Sequence, residues 1–247
     1  MKERREMTMY SNQIKTATVA ACFSVTAQEI IAQLIESGTQ VVGYGRVGDE
    51  QRAKDLENKY NGKLTVLLGD LTDEETCRAF VAKSLDILGG SIDAHYHCAG
   101  IFLWSTWEDA EPKDIERLFS VNFTTAWMLG REIFSAMKPK EAGSIMYVSA
   151  RDTIRNVPYG FGPYMASKRA LNGLVESQAA EGVQYGIKVN AVLPTIIDTE
   201  VNRKGMPDID HNEWVNPSQF ASLMIELTQP AKTNLTGALI PVQGKML

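Results

Sequence analysis

Apolar residues fall along this chain in short continuous runs that alternate with longer stretches of helical period. Thr16 to Cys22 (Thr-Ala-Thr-Val-Ala-Ala-Cys) has no polar face and predicts a strand buried on both sides. Thr26 to Ser37 then sets Ile30, Ile31, Leu34 and Ile35 at helical spacing and stops at Gly38. The same reading predicts strands at 40–44, 63–68, 92–98, 143–149, 186–193 and 239–242. It predicts helices at 50–60, 73–88 (capped by Thr72), 113–137, 164–182 and 218–227. Strands and helices alternating in this way predict right-handed βαβ units, hence an α/β fold on a parallel sheet of about seven strands with helices on both faces. No linker or repeat interrupts the pattern, so one domain is expected over 15–247 after a flexible leader, 1–14. The polar, irregular stretch 195–217 suits a lid.

Composition narrows the class. The 247 residues are 44% hydrophobic and 22% charged, ordinary for a globular chain. A formal charge of -5 gives no support to a nucleic-acid or anionic-membrane partner. Three widely spaced cysteines (Cys22, Cys77, Cys98) form no disulfide framework and point to a reducing, cytoplasmic setting. The leader carries Lys2, Arg4 and Arg5 without an apolar core, unlike a signal peptide or a membrane span.

In a parallel sheet, ligands sit beyond the carboxyl ends of the strands. The first strand-to-helix turn is therefore the place for a phosphate, yet it contains no glycine: Ala20-Ala21-Cys22-Phe23-Ser24-Val25-Thr26-Ala27. Two readings stand. Either Ala21, Phe23, Ser24 and Val25 cradle a pyrophosphate at the helix N-terminus, or the turn is simply packed and holds no dinucleotide. At the second strand's end, Gly43-Tyr44-Gly45-Arg46 lacks an acid for ribose hydroxyls, and Arg46 suits a 2′-phosphate or solvent equally. Asp70, followed by Leu71, ends the third strand where it either accepts from an adenine amine or caps a helix. His95 and His97 share a strand face, but with one further histidine, His211, no metal site is expected. Trp104, among the apolar residues 101–107, is a packing residue or a pocket wall.

Tyr164 and Lys168 stand one helical turn apart on one face. An ammonium there is expected to lower the phenol's pKa and ready it for proton transfer. Asn122 falls among apolar neighbours, where an amide needs partners and where it can kink its helix.

In this order, from about Lys15 to Gly244, the set resembles the short-chain dehydrogenase/reductase family, which implies a Rossmann-like, doubly wound sheet. Tyr164, Lys168 and Asn122 match its catalytic tyrosine, lysine and asparagine. Asp70-Leu71 matches its adenine-side motif, and Ala99-Gly100 the end of its Asn-Asn-Ala-Gly motif. Asn190 to Pro194 resembles its sixth strand, while Ile197 and Thr199 correspond to residues that hold the nicotinamide carboxamide. Thr236-Gly237 and Val242-Gln243-Gly244 resemble its C-terminal signature. The departures are as clear. Ala21, Val25 and Ala27 replace the glycine motif, His97 and Cys98 the two asparagines, and Thr195 a glycine. Arg151, or Ala150 with one extra loop residue, stands where the family has its catalytic serine; Ser149 is expected to face the other way, and Thr153 is a candidate substitute.

The resemblance implies a small-molecule substrate, NADP(H) in preference to NAD(H), and a homodimer or homotetramer paired through the helices at 113–137 and 164–182. Three activities stay open: a reductase with an altered site, a catalytically silent scaffold or partner subunit, and a cofactor-independent lyase or isomerase using Tyr164.

Overall fold

The computed structural model describes residues 13–230 and 234–244. Seven parallel strands form one sheet in the order β3-β2-β1-β4-β5-β6-β7: β1 Thr16–Ala20, β2 Gln40–Gly45, β3 Leu64–Leu68, β4 Ala94–His97, β5 Gly143–Val148, β6 Ile187–Pro194 and β7 Leu239–Val242. The strand order reverses between β1 and β4, and that switch opens a crevice at the carboxyl ends. Most of the leader lies outside the described residues, but Ile14 belongs to the core at 2% exposure.

Helices α1 (Val25–Glu36) and α2 (Glu50–Tyr60) cover one face. On the other lie α3 (Glu74–Ile87), α5 (Thr125–Met137) and α6 (Gly162–Gly182). The apolar stripe of α1 is wholly buried at Ile30 and Ile31, each such side chain contributing about 1.5–3 kcal/mol. On the opposite face Gly130 of α5 admits the Tyr147 hydroxyl, which a Cβ there would approach to 2.2 Å.

Three expectations need correction. The cap of α3 is Asp73, whose side chain accepts from Thr76 N, while Thr72 turns back to Asp70. The long helix at 113–137 is broken into α4 (Pro112–Phe119), a π-turn at Ser120–Thr124 and α5. The crossovers are also not all of one hand. The helix α8 (Pro217–Thr228) joins β6 to β7 but packs on α1, with Phe220, Ala221 and Met224 in the same cluster as Ile30. It therefore covers the face opposite to that used by the other connections running in its direction, and burial of its apolar stripe against α1 outweighs the usual rule.

The lid stretch is partly ordered by α7 (Glu200–Gly205), a 3₁₀ turn at His211–Glu213 and a bridge from Ile197 to Val215. A second 3₁₀ turn, Arg151–Ile154, opens the loop that leads to α6. No helix among the described residues is long and apolar enough to cross a membrane.

Candidate active site

A cavity of about 750 Å³ lies beyond the carboxyl ends of β4, β5 and β6, roofed by the lid. Its wall brings together Tyr164, Lys168, Ala99, Gly100, Pro194 and Ile197. Thr199 joins them while its hydroxyl caps α7 by accepting from Asn202 N at 3.2 Å.

The π-turn explains how Asn122 reaches this region. One extra residue in the turn swings a wholly buried amide out of the helical ladder. Its Oδ1 accepts from Ile101 N at 2.8 Å, and its Nδ2 donates to Ile101 O at 3.1 Å and Ser167 Oγ at 2.9 Å. Asn122 thus clamps the peptide that follows Gly100. A Cβ on Gly100 would stand 3.0 Å from Lys168 Nζ and 3.2 Å from Asn122 Oδ1 and would crowd both polar atoms.

Lys168 is buried and donates to Val148 O at 3.0 Å; burial draws its pKa down to about 8. Tyr164 is half-buried, and its hydroxyl has no hydrogen-bond partner among the described residues. Its ring meets Phe102 edge-on at 5.0 Å. The expected lowering of the phenol's pKa is not found. Burial first, and then the charge of Asp152, hold it above its ordinary value, because nothing in the chain alone offsets the cost of a buried phenolate.

The hydroxyls around the expected serine position are taken. Ser149 Oγ donates to Asn172 Oδ1 at 2.6 Å, and Thr153 Oγ1 donates to Ala150 O at 2.6 Å while accepting from Asn172 Nδ2 at 2.8 Å. Thr153 does not line the cavity, so it is no substitute donor; Ala150 does line it. Arg151, read from the sequence only as the loss of a serine, and Asp152, which sequence reasoning missed, also line it as an ion pair at 2.6 Å. Their adjacency at the end of a predicted strand was the available signal.

The first crossover turn lies outside the cavity. Ala21 takes a left-handed φ of 55°, the conformation that glycine adopts more cheaply, and thereby ends β1 two residues before the expected limit. Ser24 caps α1, Val25 is its exposed first residue, and the N–H groups of Val25 and Thr26 have no partner among the described residues. Those donors suit an anion. The ring of Phe23 lies over Gly45, where a Cβ would meet it at 2.4 Å, and the Arg52 guanidinium stacks on it at 4.5 Å. It thus narrows the strand end at which dinucleotide folds seat the adenosine ribose. Arg46 is 84% exposed and 3.6 Å from Asp49. The Asp70 carboxylate accepts from Thr72 N and Oγ1, and Leu71 packs against the core. A nicotinamide dinucleotide would meet a gap at Gly100 beside Lys168 and free donors at α1, with a tighter passage on the ribose side.

His95 and His97 are fully buried, their rings 5.8 Å apart. Thr125 spends its hydrogen on Val121 O, so His97 Nε2 donates to Thr125 Oγ1 at 3.1 Å and His97 Nδ1 is left unpartnered. Among the described residues no group of three His, Cys, Asp or Glu could hold a metal ion.

A phenol and a buried lysine on one cavity wall, with a clamped asparagine behind Gly100, at the carboxyl ends of a doubly wound sheet point to a class, and comparison agrees with it. Residues 15–210 match the model of the short chain dehydrogenase family, and the chain belongs to that family. It is 31% identical over 224 residues to a galactitol 2-dehydrogenase of Rhizobium johnstonii, covering 85% of this chain and 86% of the relative. It is 28% identical over 189 residues to an L-rhamnose 1-dehydrogenase (NAD(P)(+)) of a Sphingomonas species, covering 72% and 74%. The structure of ElxO with NADP bound superposes with a TM-score of 0.85 at 21% identity, covering 93% of this chain and 97% of that one.

Proposed function

We propose that this chain is an NADP(H)-dependent oxidoreductase interconverting a carbonyl and an alcohol on a small or medium organic substrate, with Tyr164 as acid and base. The observation that carries this reading is a phenol with no internal partner on the wall of a cavity shared with a buried lysine. With its pKa raised, Tyr164 is protonated at neutral pH and has a proton to give a developing alkoxide. Lys168, still charged below about pH 8 on the same wall, is the cation available to negative charge developing on that oxygen. Asn122 acts by position, fixing the Ile101 peptide and the entrance beside Gly100.

A reduced nicotinamide supplies the hydride when bound. Ala99, Gly100, Pro194, Ile197, Thr199 and Lys168 would hold its nicotinamide side, and Ala21, Phe23, Ser24 and Val25 its pyrophosphate. Asp70 and Leu71 would lie toward the adenine. Arg46, at a strand end without an acid, favours a 2′-phosphate, so NADP(H) over NAD(H); the NADP named in the ElxO structure supports this choice. We further place the protein in the cytoplasm as a homodimer or homotetramer. The exposed Trp127 on the broken helix, beside the half-buried Phe123, supports such pairing.

Titration with NADPH tests the reading. Saturable enhancement of its fluorescence is expected, at least tenfold weaker in Arg46→Ala, while Tyr164→Phe keeps binding and loses turnover by at least a hundredfold. Failure of both NADPH and NADH to bind at millimolar concentration would sink it. The tight ribose side favours the rival, a cofactor-free isomerase or a silent partner subunit; turnover without nucleotide separates those two.

A further inference from the structure

Stabilising a carbonyl oxygen as it gains charge calls for a donor besides the phenol. In the cavity wall Ser149 is engaged with Asn172, one hydrogen of Lys168 with Val148 O, and the Asn202 amide with Ile197 O. Arg151 brings a planar group with donors to spare. Only its Nε is used, on Asp152 Oδ1, and neither terminal nitrogen has a partner among the described residues. Asp152 Oδ2 is likewise without a partner. The cavity thus holds an oriented fork of donors with one acceptor beside it.

Resting on the reductase reading for its chemistry, we propose that Arg151 and Asp152 recognise an α-hydroxyketone, or in reverse a vicinal diol, and that Arg151 polarises the reacting carbonyl. The two terminal nitrogens match two oxygens on neighbouring carbons, as a planar guanidinium matches other paired acceptors. A hydroxyl differs from a second carbonyl in having a hydrogen to donate, and Asp152 Oδ2 is the acceptor for it. The pair carries no net charge, so a neutral substrate is taken up without leaving an uncompensated ion. Phe102, 5.0 Å from both Phe161 and Tyr164, offers an apolar wall for the rest of the molecule. In the reduction, the carbonyl carbon receives the hydride, the C=O π bond opens, and the oxygen takes the Tyr164 proton. Arg151 and Asp152 keep their protonation throughout, and the product is a vicinal diol.

The minimal pair 2-hydroxyacetophenone and acetophenone tests this by binding alone, read as quenching of tryptophan fluorescence (Trp214 lines the cavity) in protein without nucleotide. The hydroxyketone is expected to bind at least tenfold more tightly than acetophenone. Arg151→Ala and Asp152→Asn are expected to bring the two within about twofold, with an unchanged thermal unfolding midpoint, and for Asp152→Asn an unchanged acetophenone affinity, as proof of an intact cavity. Arg151→Lys should retain part of the preference. Equal binding in the unaltered protein, no hydroxyketone binding at millimolar concentration, or a preference that survives Arg151→Ala overturns the proposal. If either variant fails to fold, the ratio in Arg151→Lys and in the unaltered protein decides. A preference with no NADPH binding would uphold the recognition site and reject the reductase reading, so the two fail separately.

Discussion

Asn172 holds two hydroxyls at once, accepting from Ser149 at 2.6 Å and donating to Thr153 at 2.8 Å. All three side chains are buried, and the network ties the end of β5 and its 3₁₀ turn to α6. Ser149, the serine of the cavity wall, is therefore a structural group.

Ser149→Ala is expected to cost about 1–2 kcal/mol of stability, because it leaves the Asn172 carbonyl buried without its donor. NADPH affinity should stay within twofold. Urea unfolding and a fluorescence titration measure the two; an unchanged unfolding midpoint would contradict the structural role.

The buried histidines make the fold sensitive to acid. Burial draws His95 down to about 3 and His97 well below its ordinary value. As pH falls below about 6.5, the unfolded chain takes up protons that the folded chain refuses, His95 until near pH 3 and His97 likewise well below its ordinary range. Stability is therefore present above pH 6.5 and lost on acidification through that window, by up to about 1.4 kcal/mol per pH unit for each histidine. His95→Gln with His97→Gln should flatten the dependence of unfolding free energy on pH between 4.5 and 6.5. An equally steep fall in the double variant would exclude these two residues as its cause.

Phe23 and Gly45 are coupled by contact. Gly45→Ala would place a Cβ 2.4 Å from the Phe23 ring and is expected to destabilise by about 1–3 kcal/mol. In the Phe23→Ala background the same change should cost less, provided that Leu68, 2.9 Å from the same Cβ, gives way. A double-mutant cycle measures the coupling, expected above about 0.5 kcal/mol; strict additivity would show that the ring does not occupy the strand end.

Much of the architecture was written in local pattern. The buried run Thr16–Ala20, the helical stripe of α1 and the Tyr164–Lys168 spacing each depend on residues close in the chain, so periodicity reveals them. The seven-strand parallel sheet and family membership followed from their order. The break at Asn122 was half legible, since an amide among apolar residues signals a kink without showing its π geometry.

Other features needed the folded chain. Ser149 lines the cavity rather than facing the other way, but whether its hydroxyl is free depends on Asn172, 23 residues away, and spacing along the chain says nothing of such a partner. The hand of the last crossover was decided by α8 meeting α1, and the direction of the Tyr164 pKa by burial and the nearby Asp152. Arg151 looked like the loss of a serine until its free nitrogens and its partner Asp152 were found on one wall with the phenol. The sequence by itself determined which elements form and which residues can do chemistry, because those follow from short-range periodicity and side-chain type. Which polar groups are already satisfied, and which still reach the cavity, was decided by tertiary packing, because hydrogen bonds and desolvation depend on neighbours that only folding brings together.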